Sequence, residues 1–185
     1  MQVCATSFQN LFILKPHIFS DERGEFIKPF SAENFAESRL DYNFVEAFYS
    51  VSKKGVLRGM HFQIPPKEHT KLVFVSSGKI IDVVVDLRAD SATYRQYFSV
   101  ILDNTNALYI PKGFAHGFLS LCDGTKVHYM QSSCYDTNCD YGIAFDSFGF
   151  DWECVAGEHN ISDFIISPRD RNFETLASFC KKGLF

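Results

Sequence analysis

The chain has 185 residues, 46% hydrophobic and 22% charged, a composition that supports a packed core and excludes disorder over most of its length. At roughly 100–200 residues per domain, one domain over 1–185 is expected. A net charge of −4 offers no basic footprint for general nucleic-acid binding, and no run of about 18 apolar residues is present to cross a membrane.

In chain order, the start shows no basic segment followed by an apolar run, so no secretory leader is expected. Ser31 is placed to cap a short helix over 32–38, with Phe35 inward. Residues 42–52 read as a strand, as do 71–76 and the β-branched run 79–87. Asp82 and Asp86 share one face of that run and read as structural. Strands over 97–102 and 107–111 flank a turn at 103–106, and another is expected over 127–135. Residues 172–182 carry Phe173, Leu176, Ala177 and Cys180 at helical spacing. Short strands separated by turns predict an all-β sandwich or barrel with a few short peripheral helices. Cys4, Cys122, Cys134, Cys139, Cys154 and Cys180 form no C-x-x-C pair; they read as reduced thiols of a cytoplasmic protein, with no zinc site.

Two segments interrupt the strand pattern with polar residues: 58–63 (RGMHFQ), leading to Lys71, and 110–118 (IPKGFAHGF). A histidine on the inner wall of a barrel is costly to bury without partners. The P-x-G-x-x-H of 111–116 resembles the second motif of the cupin jelly-roll superfamily. The first cupin metal motif, two histidines one residue apart, is missing: His61 is followed by Phe62 and Gln63, and Glu68 and His69 are wrongly spaced. No metal is therefore expected.

The resemblance is closer than the superfamily. Residues 55–63 (GVLRGMHFQ), 71–73 (KLV), 82–88 (DVVVDLR), 91–94 (SATY) and 110–118, with 19–24 (FSDERG), 150–152 (FDW) and 166–170 (ISPRD), are together similar to the dTDP-4-dehydrorhamnose 3,5-epimerase family. It spans about residues 10–176. It implies a cofactor-independent epimerase acting at C3, C5 or both of a nucleotide-diphosphate 4-keto-6-deoxy sugar. A ketone acidifies its neighbouring C–H bonds, so the reaction needs a base, an acid on the opposite face and a cation at the enolate oxygen.

On that resemblance His61 is the base and Asp170 the carboxylate that orients it. Lys71 is the cation and Tyr129 the acid; Tyr135, six residues on and of the same parity along a regular strand, is the reserve acid. Arg58, Arg23 and Arg169 match phosphate-binding positions; His116 and Asp140 match ligand-lining positions. Read as residues alone, Arg58 also suits a surface ion pair, Asp170 a turn and Tyr129 a core position. Three positions depart from the family: Lys28 replaces a Glu near the nucleotide base, and Glu46 and Phe48 replace a Gln and an Asn. Reversing charge at a recognition point predicts an unusual sugar or another nucleotide. The resemblance also implies a homodimer with exchanged N-terminal strands, a nucleotide-sugar substrate as the only other partner, and deoxy-sugar assembly for polysaccharide. Competing readings are an NDP-sugar 3,4-ketoisomerase and a non-catalytic sugar- or metal-binding cupin.

Overall fold

The computed structural model describes residues 1–185. Its strands are β1 (Gln2–Ala5), β2 (Phe12–Lys15), β3 (Ile18–Asp21), β4 (Gly24–Ile27), β5 (Glu46–Ser52), β6 (Leu57–Gln63), β7 (Lys71–Ser77), β8 (Ile80–Asp86), β9 (Tyr97–Leu102), β10 (Ala107–Ile110), β11 (Phe114–Ser120), β12 (Thr125–Gln131) and β13 (Asp140–Gly142). The helices are α1 (Ala32–Glu37), α2 (Trp152–Glu158), α3 (Pro168–Arg171) and α4 (Leu176–Cys180). Two antiparallel sheets run in the order β1-β2-β10-β7-β12-β5 and β13-β6-β11-β8-β9, with β3 and β4 as a separate hairpin. This is the expected jelly-roll sandwich.

Strand β8 shows what holds it together. Every one of its residues is buried. Ile80 and Val84 pack between the sheets against Val73, Leu108, Phe118 and Val127. Ile81, Val83 and Val85 face the other way, onto a cluster with Trp152, Leu176 and Phe179 of the helices. A strand covered on both faces loses its polar alternation, and each buried Val or Ile stabilises by about 1.5–3 kcal/mol. The period of two carries Asp82 to the inner face beside Ile80 and Val84.

The element boundaries depart from expectation at three places. Strand β5 begins at Glu46 rather than 42, because Asp41 Oδ1 accepts the Asn43 N–H at 3.1 Å and turns the chain. Strand β12 ends at Gln131 and does not reach Tyr135; past it, the Ser132 hydroxyl accepts the Thr70 N–H at 2.9 Å. The tail is not one helix over 172–182. Thr175 caps α4 by accepting from the Ser178 N–H, and Asn172 closes α3, which leaves Phe173 between them. Ser31 does precede α1, with Phe35 buried, but its side chain makes no capping bond.

Candidate active site

A cavity of about 260 Å³ opens on the inner face of the sandwich, lined from β5, β6, β7, β11 and β12. Its geometry begins with a β-bulge. Strands β6 and β11 pair His61 with His116 and Arg58 with Phe118, so three steps on β6 match two on β11. On a regular strand Arg58 and His61, three apart, would face opposite ways. The extra residue turns both to the pocket. Gly59 makes this possible: its φ is +131°, and a Cβ there would lie 2.5 Å from Gly117 Cα.

Two histidine–carboxylate pairs meet at this point. His61 Nε2 lies 2.9 Å from Asp170 Oδ1, and Asp170 Oδ2 accepts the Gly59 N–H at 3.0 Å. The one-turn helix α3 presents Asp170, with the Ser167 hydroxyl accepting its N–H at 3.0 Å. Burial opposes ionisation of Asp170, but His61, Gly59 and Ser167 together hold its carboxyl below the usual range. An ionised Asp170 takes the proton side of Nε2, which leaves Nδ1 as the basic nitrogen. His116 Nε2 lies 2.8 Å from Asp82 Oδ2, with both side chains buried. Burial pushes His116 down and Asp82 up, each against the attraction of the other.

Lys71 starts β7 and is 6% exposed. Its ammonium donates to the His61 carbonyl at 3.2 Å. Burial pushes it down to about 8, with Asp82 and Asp140 pulling the other way. Tyr129 lies buried on β12, stacked on Phe48 at 4.8 Å and edge-on to His116 at 6.1 Å. Burial raises its hydroxyl well above the usual phenol value, so it carries its proton at neutral pH.

At the rim, Arg58 makes no ion pair; its Nε donates to the Ser52 hydroxyl at 3.2 Å. Arg169 donates to Asp140 at 2.6 Å, and the Tyr135 hydroxyl donates to the same carboxylate oxygen at 3.0 Å. Tyr135 therefore lines the pocket from a loop, not from a strand position shared with Tyr129. Glu46 does not line the pocket; its carboxylate accepts the Tyr135 N–H at 2.8 Å and so fixes that loop. Phe48 is the one departure from the family pattern that lines it. Arg23 and Lys28 are not in the pocket. Arg23 sits at the β3–β4 turn and pairs with Asp21 at 2.5 Å, and Lys28 follows β4, both exposed.

Sequence reasoning missed several lining residues: Gln63, His69 as a wall residue, Phe118 and Gln131. Gln131 was within reach, two residues beyond Tyr129 on one strand face. It also missed Phe173, whose ring meets His61 edge-on at 5.6 Å and carries the Arg169 guanidinium at 5.3 Å. No group of three His, Cys, Asp or Glu side chains is placed to hold a metal ion.

The family model for dTDP-4-dehydrorhamnose 3,5-epimerase matches residues 5–178. A dTDP-4-dehydrorhamnose 3,5-epimerase of Methanothermobacter thermautotrophicus is 42% identical, over 92% of each chain. That of Escherichia coli is 38% identical, over 95% of each chain. The crystal structure of a dTDP-6-deoxy-D-glucose-3,5-epimerase from Legionella pneumophila, in complex with dTDP-4-keto-L-rhamnose, superposes with a TM-score of 0.89 at 33% identity, covering 99% of this chain and 96% of that one.

Proposed function

The chain belongs to the dTDP-4-dehydrorhamnose 3,5-epimerase family and is an isomerase acting on a dTDP-4-keto-6-deoxy sugar; from that premise we propose how its residues divide the reaction. His61 Nδ1 takes the proton from a carbon beside the ketone. The freed C–H electron pair forms the C=C bond of an enolate, and the carbonyl pair moves to the C4 oxygen, which the Lys71 ammonium faces. The C4 oxygen pair re-forms the C=O, and the C=C pair takes the Tyr129 hydroxyl proton on the other face of the carbon, which inverts it; solvent then restores the phenol and takes the proton from His61. The step repeats at the other flank of the ketone. Arg58 and Arg169 hold the diphosphate, and His116, Asp140, Tyr135 and Phe48 line the sugar. The dTDP carried by the relatives supports the ordinary carrier.

The observation that carries this reading is a histidine oriented by an ionised carboxylate at 2.9 Å, in one pocket with a buried lysine and a protonated tyrosine. Its test is incubation with dTDP-4-keto-6-deoxyglucose in heavy water, followed by proton NMR. Deuterium entering C3 and C5 is the expected result. A folded protein that exchanges neither carbon refutes it.

The same reading takes residues 1–185 as one domain that works as a homodimer. Phe19 and Phe26, partners across the β3–β4 hairpin, are 64% and 60% exposed. Strand β5 is a sheet edge carrying exposed Tyr49 and Val51. Covering both apolar surfaces with a second copy suits them, and brings Arg23 and Lys28 within the reach of a neighbouring pocket. Six free cysteines support a cytoplasmic setting. No helix is long and apolar enough to cross a membrane.

A further inference from the structure

The pocket holds two polar side chains that the proton transfers leave unused. His69 and Gln131 are each 8% exposed and both line the cavity. Gln131 is the direct strand partner of Lys71, and paired residues project to one face. His69 lies two residues before Lys71. The Gln131 amide enters no hydrogen bond of the chain, and His69 Nε2 is buried without a partner.

The other side of the His69 ring is fixed. Gln63 Oε1 accepts the Asp136 N–H at 2.6 Å, which turns the amide nitrogen toward the Lys67 carbonyl at 2.9 Å, the Cys134 carbonyl at 3.2 Å and His69 Nδ1 at 3.2 Å. Nδ1 is thus engaged, and Nε2 is the ring nitrogen left for a ligand. Burial, with Lys71 nearby, pushes this histidine down to about 3, so it stays neutral. Beside the Lys71 ammonium there is thus an unmatched ring nitrogen and an amide that can both donate and accept. Buried polar groups are normally matched, and a single hydroxyl satisfies this pair.

We propose that His69 and Gln131 form a subsite that reads the hydroxyl on C3 of the sugar ring. The proposal rests on the epimerase reading above. With Lys71 at the C4 oxygen, the flanking substituents are the C3 hydroxyl and the methyl on C5. A methyl group matches neither a donor nor an acceptor. The hydroxyl matches either polarity: it bonds His69 Nε2 on one side and the Gln131 amide on the other, donating to one and accepting from the other. This contact orients the ring for the C5 step, and is released when C3 reacts and its hydroxyl changes face.

The test compares dTDP-4-keto-6-deoxyglucose with its 3-deoxy counterpart and follows deuterium entry at C5. The protein should prefer the 3-hydroxy sugar, and Gln131→Leu and His69→Phe should each reduce that preference about 10-fold, the loss of one hydrogen bond. His69→Gln, which keeps a polar group of either kind, should retain more of the preference than His69→Phe. Gln131→Met, of similar length, gives the same readout should Leu disturb the fold. An active protein whose preference is unchanged in the variants, or whose two rates fall equally, overturns the subsite alone. A protein that exchanges neither sugar overturns the epimerase reading and the subsite with it.

Discussion

His61–Asp170 and His116–Asp82 are the same chemical pair, built on directly opposed residues of β6 and β11. Their surroundings make them different tools. The His61 side chain is 34% exposed and can exchange protons with substrate and solvent. That of His116 is 4% exposed, and burial keeps it neutral. The first pair is completed by a helix near the end of the chain, the second by a neighbouring strand of the same sheet. A histidine–carboxylate pair is thus a base or a fixed polar wall according to the water it meets, not its partner.

Substitutions can break that contrast. His61→Asn should lower C5 deuterium exchange about 1000-fold, the scale of a lost general base. An equal loss in His116→Asn would erase the distinction. Asp170→Asn should cost about 100-fold, since an amide facing Nε2 favours the tautomer with the proton on Nδ1; the readout is again exchange rate. Tyr129→Phe should reduce formation of the inverted product about 100-fold while exchange from the His61 face falls less, which NMR of product against label separates. Asp82→Asn should show mainly in stability, losing about 1–3 kcal/mol by urea unfolding because the pair is fully buried. Exchange should fall less than in Asp170→Asn.

The gentlest probe is pH. Lys71 titrates at about 8 against an ordinary 10.5. The kcat/KM profile should therefore fall above pH 8 as the ammonium at the enolate oxygen is lost. Stability moves oppositely. The cost of a buried charge is present in full below pH 8 and is relieved as pH rises from 8 to 10.5. Removing the Asp140 carboxylate, by Asp140→Asn, should shift the basic limb lower, because an attraction that favours the charged form is gone.

Much of this was legible along the chain. The β-branched run of β8, the turn signals between strands and the ordered motifs pointed to the sandwich, and His61, Lys71, His116, Tyr129 and Asp170 do gather in or against one pocket. Local pattern failed where a residue's role depends on something distant. Tyr135 has the parity of Tyr129 along the chain, but the strand ends at Gln131. The hairpin of Arg23 and Lys28 holds them outside this chain's own pocket, a placement no local pattern shows. Phe173 had the spacing of a helix, but the Thr175 cap starts α4 after it.

What the sequence determined by itself was the set of chemical groups and the sheet-forming pattern, because residue type and a period of two are local properties. Only the tertiary structure decided which groups share a face and which meet water. Arg58 and His61 are three residues apart and would oppose each other on a regular strand; the Gly59 bulge against Gly117 turns both inward. Asp170, more than a hundred residues from His61, becomes its partner through one turn of helix. These are consequences of packing between distant segments, and no window of sequence contains them.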